Sequence, residues 1–146
     1  PTIVHWQESP HAMTILRLGD VMPLLTSATG RCFAAHMPRD LTGPMLKTEI
    51  ANAQKMKRRD VPTTQAEANA MLNEVRQHGI ARVVDVLLPG VVGFCAPVFD
   101  SDGHLVLGMV SLGPASNFDA DWNGAPAQAL RQAAQSLSAE LGHHAA

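Results

Sequence analysis

The chain has 146 residues, the length of a single domain, and a net charge of −2 with its histidines neutral. This charge excludes a strongly basic nucleic-acid-binding surface, and no apolar run of about 18 residues is present that could span a membrane. The two cysteines form no disulfide framework and no signal peptide is visible, so we expect a cytoplasmic protein with reduced thiols. The chain begins at Pro1 instead of Met, which favours a fragment cut at a domain boundary.

The amino-terminal stretch contains two short runs with β-sheet character. Thr2–Gln7 is rich in residues that favour strands, and Met13–Leu18 alternates apolar residues with others. Glu8–His11 is a turn-like sequence between them, and Gly19 follows the second run. These features predict a β-hairpin at the start of the domain.

Two helices are predicted after this hairpin. Ser27 is a favourable N-cap for a short, well-buried helix over Ala28–Met37. Thr42 can cap a second helix over Gly43–Met56, in which Pro44 falls in the first turn, where proline is tolerated.

A third helix, a strand and a last helix complete the regular elements around the core. Thr64–Glu67 is a capping box that begins the third helix, and Gly79 ends it. Ile80–Leu88 follows as a predicted strand. Apolar residues at every third or fourth position predict an amphipathic helix over Ala125–Leu141, and Gly142 ends it.

A second hairpin is predicted from two apolar runs, Val91–Phe99 and Leu105–Leu112, which the turn residues Asp100–Gly103 join. Neither run carries a charge, so we expect both faces of the hairpin to be covered and the hairpin to lie at the centre of a sheet. Pro97 cannot donate a backbone hydrogen bond and predicts a bulge or an unpaired edge. The element order, ββ-ααα-βββ-α, predicts an α/β chain of the α+β type, with a largely antiparallel central sheet flanked by helices.

Few side chains are candidates for catalysis or metal binding. No histidine pairs with Cys, Asp or Glu at a metal-ligand spacing, and the adjacent His143 and His144 are interpreted as a frayed tail, so no metal or cofactor is expected. Cys32 and Cys95 are either nucleophiles or small buried hydrophobic residues, and their apolar contexts favour the second interpretation. The basic run Lys55–Arg59 is interpreted as a solvated helix end.

The turn Ser27–Gly30 is the strongest candidate for a binding site. The first amides of a helix lack internal partners and carry partial positive charge, so they bind anions readily. Ser27 or Thr29 could add a hydroxyl group. A plain N-cap, with a glycine for close packing, explains the same residues equally well.

Motifs in several stretches are shared with a known family. Pro23–Arg31 is similar to the pattern P-L-x-x-S/T-A-x-G-[KR], and Val75–Gly79 is similar to an R-x-x-G helix end. The most specific match is Pro89–Gly103, which is similar to G-V-x-x-x-A-A-P-V-x-D-x-x-G. Leu112–Pro114 and Ser138–Gly142 also fit. The chain thereby resembles, over nearly its whole length, the C-terminal effector-binding domain of the IclR family of bacterial transcriptional regulators.

This resemblance implies a GAF-like domain that binds a small molecule beside its sheet and assembles into homodimers or homotetramers. It also implies an N-terminal winged helix-turn-helix domain, which is absent from residues 1–146. DNA binding is therefore expected only through that missing domain. The resemblance implies a sensor and not an enzyme.

The resemblance also places the effector pocket between the turn Ser27–Gly30 and one face of the sheet. In similar members that sense small keto acids, Asp, Cys and Ser line this pocket, whereas the matching sheet positions here are apolar. This departure favours an aromatic or otherwise hydrophobic carboxylate, with its acid group on the turn amides. Gly93 is expected to leave room for the ligand, and Asp85 to orient a hydroxyl group if it shares the face of Val83. The expected effector-binding residues are Ser27, Ala28, Thr29, Gly30, Val83, Asp85, Gly93, Cys95, Val110 and Leu112.

Two other functions remain open from the sequence. The first is a cysteine-dependent enzyme on a GAF-like scaffold, which would need an exposed, activated Cys32 or Cys95. The second is a dimerisation module without a ligand, which a collapsed pocket would favour.

Overall fold

A computed structural model describes residues 1–10 and 14–144 of the chain. These residues form four helices and three strands. In chain order they are α1 (Ala28–His36), α2 (Arg39–Lys55), α3 (Gln65–His78), β1 (Ala81–Val84), β2 (Val91–Phe99), β3 (Leu105–Pro114) and α4 (Ala125–Glu140). None of the helices in the described ranges is long and apolar enough to cross a membrane.

The three strands form one antiparallel sheet in the order β1-β2-β3, with β2 in the centre. Side chains of a strand alternate between its two faces, so β2 divides the core in two. Cys95 packs with α1, α2 and α3 on one face, whereas Val92, Phe94 and Val98 pack with α4 on the other. The predicted fold class, a largely antiparallel sheet flanked by helices, is confirmed.

The third helix has the ends that the sequence predicts. The Thr64 hydroxyl accepts a hydrogen bond from the backbone N–H of Glu67, and the Glu67 carboxylate accepts one from the backbone N–H of Thr64, both at 3.2 Å. At the other end Gly79 has a φ of +65°, a left-handed conformation that glycine adopts without steric cost. Both signals are local, which is why they locate the helix so closely.

The predicted amino-terminal hairpin is wrong for the described residues. Thr2–Gln7 and residues 14–18 form no strand, and the only pairing in this part of the described chain is an isolated bridge between Thr2 and Val21. Met13 lies outside the described residues. Ile15 and Leu18 point their apolar side chains toward solvent, with exposures of 77% and 62%. A hairpin with no layer to cover its apolar face is at best marginally stable.

The second helix begins at Arg39, three residues before the predicted cap. Thr42 is therefore buried inside the helix, where its hydroxyl donates to the Pro38 carbonyl at 3.4 Å, and Pro44 lies in the interior instead of the first turn. Asp40 supplies a negative charge in the true first turn, where it interacts favourably with the positive end of the helix dipole.

The strand predicted over Ile80–Leu88 is shorter in the structure, where it is β1. It ends at Val84, because Asp85 adopts a φ of +57°. Pro97 pairs with Gly108 and lies past the end of β1, which pairs no further along β2 than Cys95. The missing N–H of Pro97 therefore removes no bond to β1, and a register shift follows at Val98/Phe99.

The expectation that both faces of the second hairpin are covered holds for β2 but not for β3. The strand β3 is an edge strand of the sheet in the described chain. Val106 and Val110 on this strand are 49% and 43% exposed. The absence of charge in β3 therefore does not reflect complete burial.

Candidate functional site

A cavity of about 680 Å³ lies along the free edge of β3. Its walls come from the amino-terminal segment Pro1–Ser9, the start of α1, β3 and the loop after β1. The walls are mainly apolar, and Glu8 is the one formally charged side chain among the lining residues of the described chain. Seven of the ten residues expected at the effector site line it: Ser27, Ala28, Thr29, Val83, Gly93, Val110 and Leu112.

Ser27 caps α1 with both functions of its hydroxyl group. The hydroxyl donates to the Pro23 carbonyl at 2.6 Å and accepts from the backbone N–H of Gly30 at 2.8 Å. The backbone N–H groups of Ala28 and Thr29 have no acceptor among the described residues, and both residues line the cavity. The start of α1 therefore has two amide donors without an acceptor in the described chain, at the positive end of the helix dipole and at residues that line the cavity.

Gly30 lies outside the cavity lining and has a packing role. A β-carbon at this position would overlap the Pro23 carbonyl oxygen, so only glycine lets α1 begin this close to the preceding turn. Of the two interpretations that the sequence left open, the structure gives Gly30 the close-packing role.

Cys95 also lies outside the cavity lining, as does Cys32. Both side chains are fully buried in the core. A hydrogen bond with Cys32 and burial raise the pKa of the Cys95 thiol well above its usual range. A protonated, inaccessible thiol is a poor nucleophile, so the cysteine-dependent enzyme finds no support in this geometry.

Asp85 is exposed and does not line the cavity. The alternation that would place it with Val83 stops at Val84, since the positive φ of Asp85 breaks the strand. Its carboxylate instead accepts a hydrogen bond of 2.6 Å from the backbone N–H of Gly90 and closes the loop that leads to β2.

Gly93 provides less free space than the sequence suggests. A β-carbon on it would lie 3.1 Å from Leu112 and 3.3 Å from Val83. These two side chains flank the glycine and share the cavity wall with it. The space for a ligand lies beyond them, toward β3 and the amino-terminal segment.

Several lining residues were missed by sequence reasoning. Phe33 on α1 could have been found, because it lies four residues after Thr29 and so on the same helical face. Leu87 and Leu88 line the cavity from the loop that replaces the end of the predicted strand. Trp6 lines it from a segment whose sequence predicted only a strand; no signal in the sequence places that segment over a cavity.

A group of possible metal ligands lies in the turn between β2 and β3. Side-chain atoms of Asp100, Asp102 and His104 lie within 4.8 Å of one another. Backbone N–H groups of His104 and Asp102 donate to Asp100, and these bonds lower the pKa of its carboxyl group. The carboxylate thus stabilises the turn. His143, predicted to be frayed, contacts the Asp100 carbonyl through Nδ1 at 3.1 Å.

Comparison with known proteins identifies the family. The family model for the C-terminal domain of the bacterial transcriptional regulator IclR matches residues 2–139. The chain belongs to this IclR C-terminal family. The family that the sequence motifs indicated is therefore confirmed. No curated protein sequence matches the chain significantly.

Solved structures of similar fold include three regulators. Pseudomonas aeruginosa HmgR has a TM-score of 0.85 and 29% identity over 99% of this chain and 56% of its own. The C-terminal domain of Escherichia coli KdgR has a TM-score of 0.70 and 24% identity over 86% and 75%. Thermotoga maritima IclR has a TM-score of 0.70 and 24% identity over 94% and 53%. This IclR C-terminal domain therefore spans little more than half of the HmgR chain.

Proposed function

We propose that this IclR C-terminal domain is the ligand-sensing part of a transcriptional regulator and that its cavity binds an aromatic or otherwise hydrophobic carboxylate. The observation that carries the proposal is the juxtaposition of two free amide donors with apolar walls. The amides of Ala28 and Thr29 are suited to the acid group, and Phe33, Val110 and Leu112 are suited to the body of the molecule.

The charges around the cavity support a site in which backbone amides, and not a cationic side chain, bind the anion. No Lys or Arg is found among the lining residues in the described ranges, and Glu8 is the only acidic one. A carboxylate at the start of α1 would be stabilised by the helix dipole. The size of the cavity, about 680 Å³, favours a ligand larger than a three-carbon keto acid. A ligand as small as such a keto acid would leave most of the apolar wall in contact with water.

The rest of the function follows from the family and is proposed for the whole protein. We propose a cytoplasmic regulator that binds DNA through an N-terminal winged helix-turn-helix domain, with this GAF-like domain assembling into homodimers or homotetramers. The ligand would change DNA affinity by binding one arrangement of the subunits more tightly than another, because only differential affinity shifts such an equilibrium. A cavity of this size disfavours a purely structural dimerisation module.

A thermal-shift comparison of two ligand sets tests the site. Benzoate and 3-phenylpropanoate represent aromatic acids, and pyruvate and glyoxylate represent small keto acids. At about a hundredfold excess over Kd, a ligand adds roughly 2.7 kcal/mol to the free energy of unfolding, which raises the Tm by several degrees. We expect a response to the aromatic acids only. A response confined to the keto acids would contradict the proposed ligand class.

Two valines on β3 provide a matched pair of variants for the same assay. Val110 lines the cavity and Val106 does not, although both lie on the exposed part of the strand at 43% and 49% exposure. Val110→Glu should abolish the response to aromatic acids, because a carboxylate would repel the bound anion in the cavity. Val106→Glu should retain it. Equal responses in the two variants would place the ligand elsewhere.

A further inference from the structure

The amino-terminal segment is attached to the domain at one end of the cavity. The Pro1 carbonyl accepts a hydrogen bond of 2.8 Å from the backbone N–H of Met22. The Ile3 N–H donates to the backbone carbonyl of Asp20 at 3.0 Å, and the Ile3 carbonyl accepts from the backbone N–H of Gly19 at 2.9 Å. These bonds form a short ladder that fixes the first three residues of the chain beside residues 19–22.

Beyond Ile3 the segment crosses the cavity without such support. Within the described residues, no backbone N–H or C=O group from Val4 to Ser9 makes a hydrogen bond, although these six residues all line the cavity. Val4 is 73% exposed. Segments with few hydrogen bonds and few buried contacts open at low free-energy cost. The hydrogen-bonded part of this segment therefore ends at Ile3, as far as the described residues show.

Trp6 is the largest side chain on this movable part. Its indole lines the cavity, but the Nε1 atom is shielded from water and has no hydrogen-bond partner among the described residues. A buried N–H group without an acceptor is unfavourable relative to a hydrated or bonded one. Other atoms of the Trp6 side chain line the cavity, so a movement of the segment that turns the indole N–H toward the cavity gives it access to an acceptor bound there.

We propose that Val4–Ser9 is a cover over the cavity, hinged at Ile3, and that the Trp6 indole N–H donates a hydrogen bond to the bound acid and so holds the cover closed. The proposal rests on the proposed function, because it assigns to Trp6 a contact with the same ligand. The cover opens to admit the ligand, and the closed state persists when the indole has its acceptor.

The two tryptophans of the chain make this cover directly observable. Trp122 lies on the α4 face of the sheet, where its ring stacks on His78 at a centroid distance of 4.1 Å with the Arg82 guanidinium 4.2 Å from its centroid. A ¹H–¹⁵N correlation spectrum therefore contains two indole signals, and the variants Trp6→Phe and Trp122→Phe assign them. Benzoate and 3-phenylpropanoate serve as the ligands.

With these acids we expect the Trp6 indole proton to move downfield and its exchange with water to slow, as a hydrogen bond forms, while Trp122 changes little. Trp6→Phe keeps an aromatic ring but removes the donor, and should weaken binding of the acids about tenfold, the effect of losing one hydrogen bond of about 1.4 kcal/mol. Trp122→Phe should bind them as the unaltered chain does.

Each outcome separates this proposal from the proposed function. If the acids raise the Tm but leave the Trp6 signal and the affinity of Trp6→Phe unchanged, the cavity binds the acids and the cover is wrong. If no acid raises the Tm, the proposed ligand class is wrong. The opening of the cover is then tested in the spectrum of the ligand-free protein. Rapid water exchange of the shielded Trp6 proton then supports a cover that opens, and exchange as slow as global unfolding overturns it.

Discussion

Gly30 packs directly against the backbone of Pro23, at the place where the turn before α1 folds back on the helix. The Pro23 carbonyl oxygen that a β-carbon at position 30 would overlap also accepts the hydrogen bond from the Ser27 hydroxyl. One oxygen thus fixes both the cap and the approach of the helix. Ala28 and Thr29, whose amides have no acceptor among the described residues, follow this cap and line the cavity.

Gly30→Ala should therefore lower the free energy of unfolding by about 2–3 kcal/mol, because the added methyl group displaces the backbone of the turn. Gly43→Ala in α2 is the matched control, since no atom lies within 4 Å of the added carbon. That change should increase the free energy of unfolding by about 0.5–1 kcal/mol through helix propensity. Urea unfolding of both variants measures the contrast, and equal effects would show that the close approach is unimportant.

Asp85 holds the loop after β1 in a conformation that few residues tolerate. Asp85→Ala should lower the free energy of unfolding by about 1–3 kcal/mol, because it removes the acceptor of the Gly90 N–H and places alanine at a φ of +57°. Asp85→Asn keeps an acceptor oxygen and tolerates this conformation, so it should behave almost as the unaltered chain does. Denaturant unfolding distinguishes the two, and a loss as large in Asp85→Asn would refute this role.

The cysteines should react with thiol reagents only when the domain unfolds. Both thiols are fully buried, and the raised pKa of Cys95 keeps it protonated near neutral pH. We expect labelling at pH 7 to be slow for the folded chain and immediate in urea, with Cys32→Ala and Cys95→Ala identifying each site. Fast labelling of Cys95 in the folded chain would restore the cysteine-dependent enzyme as a candidate.

His36 should make stability depend on pH in the weakly acidic range. Burial, and secondarily the charge of Arg76, lower its pKa below 6.5, so the folded state favours the neutral ring. The folded state then binds fewer protons than the unfolded state below pH 6.5. This contribution to stability is fully present above pH 6.5 and is lost as the pH falls through the lowered pKa.

The variant His36→Phe isolates this contribution. The ring contacts Phe99 edge-on at a centroid distance of 5.3 Å, and phenylalanine can preserve that contact while it removes the buried Nε2 atom, which has no partner among the described residues. Unfolding free energies measured from pH 7 to pH 5 should fall less in the variant. Carboxyl groups with lowered pKa values, such as Asp100, titrate below this range. Parallel pH profiles would assign the acid sensitivity to other groups.

The parts of the fold that the sequence predicts are those whose signals are local. The Thr64–Glu67 capping box and Gly79 fix α3 from within the helix itself, and the second hairpin follows from two apolar runs and the turn between them. The start of α2 was placed too late because Thr42 looks like a cap. In the structure its hydroxyl instead donates to the carbonyl of Pro38, the residue that precedes the helix.

The candidate site was predictable only where it depends on such local signals. The turn at Ser27 was found because helix caps have a recognisable composition. The wall around Trp6 was not found, since it depends on where the hydrogen bonds of Pro1 and Ile3 place the segment. The end of β1 was also missed, because no pattern in the sequence indicates the positive φ of Asp85, whose carboxylate accepts from Gly90 within the same loop.

The alternation of β2 has a consequence for how such domains diversify. Gly93 belongs to the set of positions that line the cavity, whereas Val92, Phe94 and Val98 belong to the packing with α4. We expect substitutions in the first set to change the cavity and to leave the α4 core intact. If the cavity is the binding site, ligand preference can therefore change along one side of a single strand without any change to the packing on its other side.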